Sequence, residues 1–110
     1  MVLKTASAGA VFVGADRFDD VVITPVGELD LDVAPAMLAA IRETIAKAPR
    51  RIILDFGSLT FIDSCGCDVL VQAGREARAA GVRVALREDM VRIVRRVLAI
   101  TGLLPMFEPA

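Results

Sequence analysis

The 110-residue chain predicts an α/β fold, a mixed β-sheet of four or five strands with helices packed on it, in the order ββαβαβα with a last β to follow. Three observations predict it. From residue 32 onward, apolar residues at helical spacing alternate with short strand-like runs, the pattern of βαβ units. Ile52, Ile53 and Leu54 form the uninterrupted apolar run of a strand covered on both faces by helices. The third is size: 55% apolar residues in 11.7 kDa supply one core and no second domain, so residues 1–110 form one unit with its core at about 10–107.

Each element has its own signal. Residues 10–15, with Val11, Phe12 and Val13, and the β-branched run Val21 to Val26 make a hairpin across a turn-like segment from Gly14 to Asp20. Pro25 points to an edge position or a distortion near the strand's end. Ala34, Met37, Leu38, Ile41 and Ile45 recur at helical spacing, which predicts a helix over about 33–47 with Asp32 as N-cap and Pro35 in the first turn. Arg51 to Phe56 is the expected central strand. Leu59 to Ile62 is a further apolar run, and Val69, Leu70, Ala73, Ala77 and Ala80 then line a second helix closed by Gly81. Val82 to Leu86 alternates as a strand, and Val91, Val94, Val97 and Leu98 stripe a third helix over about 89–101 that Gly102 stops. Leu103 to Phe107 reads as a short last strand interrupted by Pro105.

Composition excludes several function classes. Histidine is absent, which removes His-based triads, His metal sites and most general-base chemistry near neutral pH. No P-loop or dinucleotide glycine motif occurs, so no enzymatic activity and no cofactor are expected. The net charge is -1, with 6 basic and 9 acidic residues in 1–63 and 7 basic and 5 acidic in 64–110, too mild a split to mark a nucleic-acid surface. Arg87, Arg92, Arg95 and Arg96 read as a solvated helix face, since no aromatic residues accompany them for stacking. The longest charge-free stretches, Thr5 to Ala15 and Val97 to Phe107, fall short of the roughly 20 residues of a membrane span. A signal-peptide reading of the N-terminus is set aside because Val11 to Val13 reads as a strand. Two cysteines, Cys65 and Cys67, are too few for a disulfide scaffold and fit a reducing, cytoplasmic setting.

The informative segment is Phe61-Ile62-Asp63-Ser64-Cys65-Gly66, where a buried run turns into a helix. Ser64 reads as the N-cap, and Gly66 as a residue that lets another backbone approach closely. The functional alternative makes Ser64 a regulated phosphosite at a helix N-terminus, where the dipole and free amides accept added negative charge. Cys65, in the first helical turn, has the setting of a redox-sensing thiol, with Cys67 beside it; the other reading makes both small buried hydrophobes. Two residues apart on a helix, they point to different sides and make a poor disulfide pair.

Three blocks in order, GELD at Gly27 to Asp30, LDFGSLTFIDSCG at Leu54 to Gly66, and LAITGL at Leu98 to Leu103 with Phe107 beyond, resemble the anti-sigma factor antagonists, single STAS domains of partner-switching systems. The resemblance runs from about Phe12 to Phe107. It implies a STAS fold and a protein that, unphosphorylated, binds an anti-sigma factor of Ser/Thr kinase fold and so frees a sigma factor. The implied phosphosite is Ser64, modified by the kinase with its own ATP and restored by a phosphatase. Asp30 and Asp63 match acidic positions near the family's docking surface. The family's second Ser or Thr is Cys65 here, its usual apolar residue is Cys67, and the glycine commonly next is Asp68. Asp30, Asp63, Ser64, Cys65, Gly66 and Asp68 therefore make up the implied partner surface. The altered stretch from Cys65 to Asp68 also permits an unphosphorylated STAS scaffold or a ligand- or redox-sensing module.

Overall fold

The antiparallel start, made of strands β1 (Val2–Ala6), β2 (Gly9–Ala15) and β3 (Val21–Leu29), leads into a parallel βα region. The remaining elements are α1 (Ala34–Ala46), β4 (Arg51–Leu54), β5 (Leu59–Ile62), α2 (Ser64–Ala79), β6 (Arg83–Leu86), α3 (Arg92–Ile100) and β7 (Glu108–Pro109). The computed structural model describes residues 2–6 and 9–110, so the charge-free stretch from Thr5 to Ala15 is described only in part. The mixed sheet runs β1-β2-β3-β4-β6-β7, with β5 paired to the far half of β3. β4 lies between β3 and β6, the central position its apolar run predicts, but the helices cover one of its faces and not both, as that run leads one to expect. To the expected order the structure adds β1, makes Leu59 to Ile62 a strand, and places β7 two residues past Met106. Leu103 to Phe107 is not a strand: Leu104–Met106 forms a 3-10 turn, in which Pro105 sits at the start, where no N–H is needed.

Pro25 occupies the interior of β3 rather than an edge. Ile23 C=O accepts from Asp55 N–H and Gly27 N–H donates to Ser58 C=O, so the nitrogen of Pro25 between them points to the same side. There β3 changes partner, pairing with β4 through Ile23 and with β5 from Gly27. The missing N–H falls in that gap, where no ladder bond is required.

One face of the sheet carries Val11, Ile23, Ile52, Leu54 and Leu86, and all three helices close over it, with Met37 and Ile41 from α1, Leu70 and Ala77 from α2, and Val94 and Leu98 from α3. Register puts Phe12, Val22, Ile53 and Ala85 on the opposite face. There the ion pairs Arg87–Asp55 (2.8 Å) and Arg83–Glu108 join adjacent strands. On the helical side, Arg42 bonds both oxygens of Glu76 at 2.8 and 2.9 Å and ties α1 to α2.

Asp20 closes the β2–β3 hairpin and is 1% exposed. Its two oxygens accept from Arg50 (2.9 Å) and Arg51 (3.0 Å) at the start of β4. Burial alone would raise this carboxyl, but the hydrogen bonds and charges of the two arginines outweigh it and hold it below its ordinary 3.8. The folded state therefore keeps the carboxylate where the unfolded chain already binds a proton. Its contribution is complete above pH 3.8 and is lost as pH falls through the depressed folded value. Denaturant midpoints at neutral and strongly acidic pH should show a steeper acid loss for the native protein than for Asp20→Asn; equal losses would remove Asp20 from the acid response.

Candidate functional site at the start of α2

The site is built by the register of two parallel strands. Glu28 pairs with Phe61 and Leu29 with Ile62, and Asp63 N–H donates to Leu29 C=O at 3.2 Å. One step further on, Asp30 and Leu31 leave β3 beside Asp63 and Ser64. The GELD and FIDS segments, more than thirty residues apart in sequence, thus end side by side.

The N-cap of α2 is Asp63, not Ser64. Asp63 has extended backbone (φ -104, ψ -174) and its carboxylate accepts from Gly66 N–H at 3.0 Å, while its C=O accepts from Cys67 N–H at 3.0 Å. Both residue types cap well, and the extended conformation falls on the earlier of the two. Ser64 becomes the first helical residue, exposed, its hydroxyl free of capping duty. The amides of Ser64 and Cys65 donate to no protein acceptor among the described residues. Asp63→Ala should cost about 1 kcal/mol of stability by urea denaturation and Asp63→Asn much less, since asparagine keeps the accepting oxygen. An alanine variant as stable as the native protein would discard the cap.

A similar shift occurs at α1. Asp32 is the expected N-cap, but the helix enters through Val33, which has helical backbone and no side-chain cap. The carboxylate that serves this turn is that of Asp30, which accepts from Asp32 N–H (3.1 Å) and Val33 N–H (3.2 Å), while its C=O accepts from Ala34 N–H at 2.7 Å. Asp30 reaches these amides because it sits at the bend where β3 ends.

Gly66 lies buried under the site. A Cβ there would stand 2.4 Å from Leu29 O and 2.8 Å from Ile62 Cγ1, so α2 meets β3 main chain to main chain, the close approach its sequence context predicts. Asp68 is exposed one turn after Ser64 on the same helix face. Both border a hollow of about 390 Å³ whose other walls are Cys67, Val71, Val97, Thr101 and Leu103.

The two cysteines diverge as their spacing predicts. Cys65 is half-buried, whereas Cys67 is buried toward the end of α3. Burial pushes the Cys67 thiol above its ordinary 9.0, against a hydrogen bond with Thr101 that lowers it, and the carboxylates of Asp63 and Asp68 push it further up. A thiol so placed disfavours the reactive thiolate. Among the described residues no group of His, Cys, Asp or Glu is arranged to hold a metal ion.

Two residues that the sequence pattern does not single out stand at the edge of the site. Phe61 is 42% exposed and Leu31 68% exposed, and the β3–β5 register brings both to the rim of Ser64. The pattern in Leu59–Ile62 is buried, exposed, exposed, buried, so strict alternation could not have found Phe61. An apolar residue directly after the GELD aspartate was the available signal for Leu31. Ile93 and Ile100 of α3 are also exposed and share a flank with Val97, which faces the hollow beside Ser64.

Comparison with known proteins places this geometry. The model of the STAS domain matches residues 12–110. The anti-sigma factor antagonist SpoIIAA in its unphosphorylated form is 31% identical at a TM-score of 0.76, the match covering 92% of this chain and 88% of that one. An anti-sigma factor antagonist from Mycobacterium paratuberculosis is 26% identical at a TM-score of 0.76, covering 97% of this chain and 89% of the other. The Bacillus cell fate determinant SpoIIAA in its phosphorylated form is 29% identical at a TM-score of 0.69, covering 92% and 91%. A search of curated proteins finds no match. With this fold, this register at Ser64 and a family match over nearly its whole length, the chain belongs to the STAS-domain family.

Proposed function

We propose that this protein is an anti-sigma factor antagonist whose unphosphorylated form binds an anti-sigma factor of Ser/Thr kinase fold, thereby releasing a sigma factor. Phosphorylation of Ser64 by that kinase ends the binding, and a phosphatase restores it. The observation that carries the reading is the division of labour at α2: Asp63 caps the helix, which leaves the exposed Ser64 hydroxyl free for modification. Phosphate added there meets two unpartnered amides and the positive end of the helix dipole, so the fold tolerates it. The relative SpoIIAA supports this, since its unphosphorylated and phosphorylated forms both share the fold of this chain.

The surface around Ser64 explains how a phosphate would switch binding. Phe61 and Leu31 offer apolar contact, and a partner that covers this end of β3 and β5 dries the serine that follows. An added charge of about -1.5 to -2 must then be desolvated among Asp30, Asp63 and Asp68, none of which has a cationic partner among the described residues. The partner surface we assign is Ser64, Asp68 and Cys65 with the Phe61–Leu31 rim. Asp30 and Asp63 contribute their field while holding the turns, and Gly66 contributes the close packing beneath. No described helix is long and apolar enough to cross a membrane, and no nucleic acid, cofactor or enzymatic activity is needed for this role.

Incubation of the purified protein with the kinase-fold anti-sigma factors of its own genome and ATP should add a single phosphate, located on Ser64 by mass spectrometry and absent from Ser64→Ala. Modification at another residue, or at none with every such kinase, would refute the switch and favour an unphosphorylated scaffold.

A further inference from the structure

We propose that the C-terminal half of α2 forms a second docking surface, separate from Ser64, for an acidic protein segment with apolar anchors. A hollow of about 660 Å³ lies there between α2 and the stretch that runs from the 3-10 turn into β7. Its floor is Val84, Phe107 and Met106, the last 43% exposed. Gly74 lets α2 pack directly on this floor: a Cβ on it would lie 3.1 Å from Met106 Cε and 3.6 Å from Phe107 Cε1. Glycine in mid-helix costs about 1 kcal/mol relative to alanine, and here the room it leaves is taken by the Met106 and Phe107 side chains, which brings them up against α2.

Charge names the occupant. Arg75 and Arg78, three residues apart on α2, rim the hollow, are exposed and have no carboxylate partner among the described residues. The neighbouring carboxylates are taken, Glu76 by Arg42 and Glu108 by Arg83, whose Nε lies 2.9 Å from Glu108 Oε2. Two free guanidiniums above an apolar floor fit carboxylates that alternate with aliphatic or aromatic side chains. The flexible, polarisable Met106 suits varied apolar anchors. A small anion would find no buried polar side chain to hold it, and a membrane would need these apolar groups to protrude rather than line a hollow. Arg78 lies fourteen residues along α2 from Ser64, roughly 21 Å on the helical rise, so both ends can be occupied together.

A selection from random sequences tests the surface directly. A displayed library of peptides about twelve residues long, selected on the full chain, should enrich sequences that combine Asp or Glu with Leu, Ile or Phe. For a synthetic peptide of the enriched sequence, Arg75→Glu with Arg78→Glu should weaken binding at least about tenfold by fluorescence anisotropy. The charge reversal Lys47→Glu, at the end of α1, should leave it within about twofold. Amide shifts should centre on Gly74, Arg75, Arg78 and Met106 and spare Gly66. Circular dichroism melts keep the variants comparable, since both arginines are exposed. Neutral or basic enriched sequences, indifference to the arginine reversal, or shifts centred on Gly66 would overturn the proposal. So would the same shifts from inorganic phosphate alone, from phosphatidylglycerol vesicles, or from self-association in sedimentation velocity.

Discussion

Glutamate in place of Ser64 is expected to weaken binding of the cognate anti-sigma kinase by about a hundredfold, while alanine keeps it. The serine stands exposed just past the paired ends of β3 and β5, where Phe61 and Leu31 are exposed too, so a partner seated on that end removes it from water. A hydroxyl, or no side chain beyond Cβ, enters that contact at little cost. A carboxylate enters without a cationic partner among the described residues and next to Asp63 and Asp68, and desolvating it costs several kcal/mol. Stability gives the control. Negative charge at the first helical position is favoured by the dipole, so Ser64→Glu should melt at or slightly above the native temperature. Calorimetric titration of both variants with the kinase found by phosphate transfer decides the matter, and equal affinity for alanine and glutamate would sink the electrostatic account of the switch.

Gly66→Ala should remove about 2–3 kcal/mol of stability, lowering the thermal midpoint by roughly 10–20 °C. The added methyl group would sit 2.4 Å from a carbonyl oxygen of β3, which is main chain and cannot swing aside as a side-chain tip would. Either α2 moves away from β3 or the bond from Asp63 N–H to Leu29 C=O breaks, and both disturb the seat of Ser64. The effect reads as lost stability by urea denaturation together with weaker kinase binding. A variant as stable as the native protein would mean that α2 can shift freely over β3.

What the sequence makes legible follows from how local each signal is. The central strand, the helix order and the close approach at Gly66 rest on side-chain pattern or on a single glycine, and the structure places them as expected. At α1 the helix enters through Val33 with no side-chain cap, and at α2 the cap is displaced because Asp63 and Ser64 are residue types equally able to cap. Only the backbone angles choose between them, and those depend on where the preceding strand ends. Of the two readings of Pro25, the distortion near the strand's end is there, in the irregular register at Gly27 and Glu28, while the edge position is not. The rule that sends proline to an edge assumes one neighbour along each side of a strand, whereas β3 has two in succession. Where the first stops and the second begins is a property of β4 and β5, not of the residues around Pro25. At the site, Ser64 is legible as a motif, while the exposure of Phe61 and Leu31 arises only when β5 pairs with β3.

The frame that carries Ser64 is made largely of main chain: a strand carbonyl that receives the Asp63 amide, a glycine pressed against that same carbonyl, and a backbone register between β3 and β5. The side chains outside that frame, at positions 65 and 68 and on the rim at 31 and 61, are not what holds the serine in place. Geometry and vocabulary are thereby separated. The same seat can be fitted with a different set of surface letters, and so addressed to a different partner, without being rebuilt. In a saturation library read out by stability, tolerance should run in a mosaic, with Gly66 nearly invariant, Asp63 confined to residues that can cap, and positions 31, 61, 65 and 68 open to change.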